Sequence, residues 1–465
     1  MNTETYTTVK PPTKALTVTS SKDVTIEEQL ENPFEEMTIL EQSPTPPSSS
    51  SSSTFNIIQT VSSNKYGISA ILAGFLCNFM VFGIGFSYGV FQEFYGSPEG
   101  PLHDYSDAQI ALVGTVSTAL TYICGIFNKT LMFYLSPRNV MLIGCVLTSI
   151  GITMTGFCHA YYQFILCSIL QGVGGGILYL PPVVCGPVYF DKHRSLASGV
   201  LFSGTGMGAF TLANLSTYLI GKVGWNWATR ILGLMNLVVT CIASFMVYEP
   251  KLANFKSKNA ALIKLSQLKS TKIVLQLAGS LLQSAGYLMP LIFMSKYAVS
   301  LGYSSSQGAL FIGLSNLINA VSKVFTGMIA DVIGRMNTLI ICSIISAIVI
   351  FALWLPAVKD TFISLVVLYG IFSGAIISLL PPCLIEIFGI AQYTQLSGMM
   401  YFVRGIGVVI GSPIGALLIK GKGSNPRDYM NAAVYNGVLL TGSTLCLGYL
   451  WVLAFNDKKP KVWKL

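Results

Sequence analysis

Twelve long apolar runs, separated by short polar breaks, follow one another from Tyr66 to about residue 455. They fall at 67–92, 107–128, 138–157, 161–188, 195–220, 226–248, 272–298, 306–329, 336–356, 361–385, 394–419 and 430–455. At 1.5 Å per residue, a helix of about 20 residues crosses the ~30 Å hydrocarbon core of a bilayer. In hydrocarbon every backbone polar group must be paired internally, which a helix achieves within one segment. Charged residues are 10% of the chain, against about 25% in soluble proteins, too few to cover a water-facing surface. These features exclude cytosolic enzymes, secreted disulfide scaffolds and nucleic-acid binders. They predict an all-α membrane protein with twelve transmembrane helices.

The runs divide as six plus six around one polar insert. The expected organisation is a disordered cytoplasmic tail over 1–64, a six-helix half over 65–248, a cytoplasmic loop over 249–271, a second six-helix half over 272–456 and a cytoplasmic tail over 457–465. The first segment holds eight acids and three lysines and the serine run Ser48–Ser53, a composition that cannot bury enough apolar surface to offset its ordering entropy. Lysine and arginine orient the rest. Lys129, Arg138, Lys192, Arg194, Arg335, the lysine-rich insert and the last lysines fall on one side, while Glu99, Asp104 and Asp107 fall on the other. The positive-inside rule then puts both termini in the cytoplasm. The plasma membrane is the expected location, with the vacuolar membrane second. Most of the ten cysteines lie in apolar runs without CxxC spacing, so no metal or cofactor is expected. Gly172 to Gly176 carries no following Gly-Lys-Ser/Thr, so it reads as helix packing rather than a phosphate loop.

The two halves repeat each other. Pro181-Pro182 matches Pro381-Pro382, Gly199 matches Gly398, and Gly206 with Gly208 matches Gly405 with Gly407. A constant offset between two six-helix sets, with small residues where helices touch, suggests alternating access around a midplane site.

The loop after the eighth run reads Gly327-Met-Ile-Ala-Asp331-Val-Ile-Gly334-Arg335. It resembles the G-x-x-x-D-x-x-G-R loop of the major facilitator superfamily. At the matching first-half positions stand Lys129, Phe133, Ser136 and Pro137, followed by Arg138, so that copy is degenerate. Tyr88 to Tyr95, Tyr189 to Gly199, Gly224 to Gly233 and Leu353 to Ala357 resemble stretches of the fungal monocarboxylate-porter-like family. The resemblance implies the major facilitator fold, two six-helix pseudo-repeats, and a conformational latch at Gly327, Asp331, Gly334 and Arg335. It also implies that Lys323 stands where the family usually carries a substrate-linked arginine, and that Gln92 replaces a lysine found in animal monocarboxylate carriers.

Candidate binding residues follow from burial cost and helical spacing. Asn316, Asn319 and Lys323 share one face at i, i+3, i+7. A lysine at bilayer depth costs at least ~2.5–3.5 kcal/mol unless solvated or paired. It either binds a ligand or snorkels to the nearer surface. Arg404 is a second deep cation, for substrate or for backbone carbonyls. Asn78, Gln92, Gln283 and Tyr287 are candidate polar lining. Glu93 reads as a loop-edge carboxylate or a proton site.

The expected function is secondary active transport of a small organic solute, a carboxylate or other anionic or electron-rich metabolite. Expected partners are that small molecule, the lipid bilayer and a proton as coupling ion, with no nucleic acid and a monomeric state; symport is the expected mode. A transport-dead nutrient sensor signalling through its cytoplasmic tail is the alternative.

Overall fold

A computed structural model describes residues 51–249, 270–420 and 423–457. Most of the expected tails and of the central insert, residues 1–50, 250–269 and 458–465, lie outside the described residues. Within Thr54–Leu465, a single compact unit, the described chain is almost entirely helical.

The first helix, α1, is Ser51–Phe86 and continues past Ser87 as Tyr88–Tyr95. It therefore starts earlier than the apolar run predicts. No Pro or Gly interrupts the chain from Ser51 to Tyr66, so nothing local ends the helix where the hydropathy does. The next spans are α2 Ala108–Tyr134, α3 Pro137–Thr155 and α4 Tyr161–Tyr189. In the second half, α7 is Thr271–Ser300, α8 Ser306–Ile333, α9 Arg335–Trp354 and α12 Pro426–Asp457.

Two stretches, Arg194–Met246 and Lys359–Leu417, are 53 and 59 residues long. Neither is one helix. Each breaks at a glycine in the left-handed region, Gly224 (φ +79°) and Gly389 (φ +76°). Only glycine enters that region freely. Gly224 separates α5 from α6, and Gly389 separates α10 from α11. Ten apolar stretches, two of them folded hairpins, give twelve spanning helices.

Local chemistry sets several boundaries. Ser106 and Ser304 each cap a helix reciprocally with a glutamine three residues on, Gln109 and Gln307. Ser136 caps α3 ahead of Pro137, the favoured site for proline at a helix start. Outward-facing apolar side chains such as Leu166, Val238, Val332 and Leu445 are exposed on the bundle, as expected for a surface solvated by lipid.

The buried apolar core is divided unevenly. One cluster joins both halves and includes Met132, Val140, Ala330, Met336 and Tyr393. Toward the opposite end each half has a core of its own. The first contains Tyr95, Phe164 and Leu232; the second contains Tyr297, Trp354 and Phe362. The halves are thus fused toward the end that carries Asp331 and separate toward the end that carries Glu93.

Glycine places the closest contact between halves. A Cβ on Gly199 of α5 would collide with the Lys323 carbonyl oxygen of α8, and one on Gly206 with the Asn316 carbonyl. Gly327 of α8 meets the Ser195 carbonyl at 2.6 Å in the same sense. The α5–α8 seam therefore runs backbone against backbone, as small residues permit in membranes.

Candidate functional site

Lys323 projects from α8 toward α5. Its ammonium donates to the Phe202 carbonyl at 3.2 Å and to Thr205 Oγ1. The residue is 1% exposed, so the side chain does not snorkel to the surface. It crosses the boundary between the halves instead. Around it lies a cavity of about 10 Å³, lined by Phe82, Tyr122, Tyr179, Tyr287, Lys323 and Tyr401, among others. That space suits roughly one water molecule.

The aromatic rings form a cage. Tyr122 stacks on Tyr401 with centroids 6.4 Å apart. Tyr179 meets Tyr401 edge-on at 5.7 Å, and Phe82 meets Tyr179 edge-on at 5.0 Å. Arg404, 2% exposed, donates through Nη1 to Gln283 Oε1. Arg404 stands one helical turn beyond Tyr401 on α11. No carboxylate lines the cavity among the described residues.

Among the described residues, several buried polar atoms near the cage have no hydrogen-bond partner: Arg404 Nε, Gln283 Nε2, Asn319 Nδ2, and the hydroxyls of Tyr179 and Tyr401. Unsatisfied buried donors are costly and rare in native proteins. Their convergence beside two cations without a carboxylate partner describes a site built to receive acceptor atoms.

Of the expected binding residues, the structure brings Lys323 and Tyr287 to the cavity wall, with Arg404 and Gln283 beside them. Asn319 is buried one helical turn before Lys323 and lies against Gly374 of α10, off the cavity wall. Asn316 lies on the α5–α8 seam, its carbonyl against Gly206. Asn78 is fully buried, donates to the Gly74 carbonyl of its own helix at 2.8 Å, and does not line the cavity. Gln92 sits half-buried near the Glu93 end, also off the cavity wall. Glu93 is exposed, the loop-edge position.

Sequence reading missed Phe82, Tyr122, Tyr179, Phe202, Thr205 and Tyr401. The chain holds 22 tyrosines and 26 phenylalanines, and no spacing marks those that converge.

The second polar cluster lies at the fused end. Asp331 accepts from the backbone N–H groups of Ser195 (3.0 Å) and Leu196 (2.9 Å). These belong to the first turn of α5, so an acid of one half caps a helix of the other, where the dipole favours negative charge. Arg335 donates to the Asp191 carbonyl at 2.7 Å. It also lies 3.5 Å from Asp331 and 3.6 Å from Glu386. Gly334 (φ +122°) makes the turn between α8 and α9.

A bundle of twelve spanning helices in two halves, closed at one end and built around a buried cage of cations and rings, is the architecture of a multi-pass membrane carrier of small molecules. The sequence matches the family model "Major Facilitator Superfamily" over residues 70–412 and 315–465, and the chain belongs to that superfamily. It is 31% identical to the aspyridones efflux protein of Emericella nidulans, covering 79% of this chain and 75% of that one. An MFS-type transporter of Gibberella moniliformis is 27% identical, covering 85% and 92%. The agnestins efflux protein of Paecilomyces divaricatus is 27% identical, covering 82% and 86%. Among solved structures, the transporter FucP in its outward conformation superposes with TM-score 0.63 at 12% identity, covering 81% of this chain and 99% of that one. A bacterial homologue of the iron transporter ferroportin gives 0.63 at 13% identity, covering 83% and 99%. These two likenesses support the fold.

Proposed function

We propose that this transporter exports a flat, electron-rich organic solute, such as an aromatic or conjugated acid, by alternating access through the central cage. The observation that carries this reading is the pairing of two buried cations with unpartnered donors inside walls of aromatic rings. An anionic solute supplies the charge that the cage lacks, and ring faces favour a planar body. An aliphatic monocarboxylate of the porter family would satisfy Lys323 but leave the rings unused. Two relatives are named as efflux proteins, which supports export.

In this reading Lys323 and Arg404 hold the acceptor atoms. Gln283, Asn319 and Tyr287 orient them. Gly327, Asp331, Gly334 and Arg335 latch the fused end, which is the cytoplasmic end under the positive-inside assignment. Solute binding draws Lys323 off the α5 carbonyl and so loosens the tie between halves. The protein works as a monomer in the plasma membrane with both termini inside.

The test is uptake into proteoliposomes of 2-naphthoate against lactate at equal concentration. Preference for 2-naphthoate, with Lys323→Met losing it, supports the reading. Equal transport of both, or transport indifferent to Lys323→Met, overturns it.

A further inference from the structure

The two seams between the halves are built differently. On the α5–α8 seam Gly327 lets the backbones meet, and Asp331 caps the first turn of α5 across it. The other seam joins α2 to α11. Tyr122 stacks on Tyr401 there, a Cβ on Gly405 would meet the Ile123 nitrogen at 2.9 Å, and one on Gly398 would meet Gly125 and Ile126. The two helices therefore run antiparallel along each other toward the fused end. Lys129 follows Ile126 within one helical turn, at the position that Gly327 holds in the repeat.

Lys129 is 9% exposed, and its ammonium has neither solvent contact nor a hydrogen-bond partner among the described residues. The exposed Tyr134 ends α2 only about 8 Å further on, at 1.5 Å per residue. A lysine so close to a helix end ordinarily turns its head out to water; this one is held inside. Its own loop offers no acid, because Phe133 stands where the other copy has Asp331. The backbone beside it is irregular as well. A 3-10 turn, Cys124–Phe127, interrupts α2 just ahead of Lys129, and α8 has no such turn. Within a helix such a turn marks a hinge or strain. Asn128 donates to the Gly176 carbonyl of α4 at 2.7 Å, and its Oδ1 is left without a partner among the described residues.

A buried charge without a partner raises the free energy of the state that buries it. Shedding the proton instead would also cost that state. Parting of the fused end separates α2 from α11 and returns the ammonium to water, so the whole cost falls on the closed form. We propose that Lys129 is a built-in opener of the fused end: its stranded charge tips the empty carrier toward the form that is open there. Under the positive-inside assignment that end faces the cytoplasm, where an exported solute loads. This meaning rests on the export reading; the bias itself does not.

The test is the rate at which N-ethylmaleimide modifies native cysteines of the purified full-length protein without solute, read peptide by peptide by mass spectrometry. Cys185 is fully buried and lies just beyond Val183, whose carbonyl accepts from the Tyr393 hydroxyl of the other half at 3.0 Å. It reports parting of the fused end. Cys145 is buried inside the first half, where Thr240 donates to its sulfur at 3.0 Å. It reports unfolding of that half. Lys129→Met is expected to slow modification of Cys185 by about tenfold or more, the low end for an uncompensated buried charge, and to leave Cys145 as in the parent. Lys129→Gln should do the same and replaces Lys129→Met if that variant does not accumulate in the membrane. Lys129→Arg, which keeps the charge, should modify at least as fast as the parent. Parental or faster modification of Cys185 in the neutral variants overturns the proposal. So does equal slowing at Cys185 and Cys145, which is general stabilisation, or a Lys129→Arg variant as slow as Lys129→Met. A parent whose Cys185 stays unmodified overturns it too. No solute enters the measurement, so failure of the solute reading leaves its result intact.

Discussion

The two halves share a fold and divide the chemistry. At the cage the charges, Lys323 and Arg404, come from the second half, whereas at the fused end both halves carry them, Asp331, Arg335 and Glu386 from the second and Asp191 and Arg194 from the first. The first half supplies acceptors and surfaces: the Phe202 carbonyl, Thr205 and the rings of Phe82, Tyr122 and Tyr179. The turns after α2 and α8 make the contrast concrete. Asp331 reaches across to cap α5. At the matching turn, Ser136 caps its own helix α3, and Arg138 lies over the rings of Phe245 and Tyr248 in its own half. Lys129, also buried there, has no partner for its ammonium among the described residues. One copy of the loop binds the opposite half, and the other binds itself. The repeat thus keeps the place of the turn but neither its backbone angles (Gly334 φ +122°, Ser136 φ −66°) nor what the turn holds.

The largest expected effect comes from removing the charge that crosses the boundary. Lys323→Met should raise the apparent KM for 2-naphthoate more than tenfold, since a charged hydrogen bond contributes ~1.5–3 kcal/mol. Thr205→Val, on the accepting side, should cost less because the Phe202 carbonyl remains. Equal effects would break the division into a charged half and an accepting half.

Next comes a matched glycine pair. A Cβ at Gly199 collides with the Lys323 carbonyl, whereas one at the repeat-related Gly398 meets the Gly125 carbonyl at 3.5 Å, an ordinary contact. Gly199→Ala should therefore destabilise the closed form by ~1–3 kcal/mol, as overpacking does, and Gly398→Ala should be nearly silent. Thermal unfolding in detergent and accessibility of the fused end to thiol reagents read both. A silent Gly199→Ala would show that the α5–α8 seam tolerates separation.

Asp331→Asn keeps the shape of the cap and removes its charge. The closed form is expected to lose ~0.5–2 kcal/mol, seen as a several-fold rise in thiol labelling at the fused end. No change would reduce the loop to a turn. Smallest of all, Arg138→Gln removes a contact with two rings, worth ~0.5–1 kcal/mol, and a hydrogen bond to the Phe245 carbonyl, all within the first half. It should leave transport unchanged, while Arg335→Gln, with its hydrogen bond to the Asp191 carbonyl, should not.

Hydropathy alone located the spans because the bilayer imposes length and apolarity on every crossing segment. The helix α1 begins at Ser51, ahead of the apolar run, where no Pro or Gly breaks the chain. The two long helical stretches were divided correctly because polar breaks mark the hairpins, and glycine at 224 and 389 supplies the turn. Lys323 and Arg404 were legible as candidates because a buried cation is costly enough to be rare. Gln92 and Asn78 carried no such signal, and the structure leaves both off the cavity wall.

Read along the chain, the residues establish that the protein crosses a membrane repeatedly, that its halves are repeats, and which two buried cations stand out. Burial cost, helix rise and turn chemistry are properties of residues and their near neighbours, so linear order is enough to reveal them. Packing in three dimensions was needed to show that Lys323 bonds across to α5, that Asp331 caps a helix of the other half, and which of many aromatic residues enclose the site. Those outcomes depend on how each helix is rotated about its axis and how closely its backbone approaches another. Such rotations and approaches are set by glycine contacts between residues more than a hundred positions apart, as between Gly199 and Lys323.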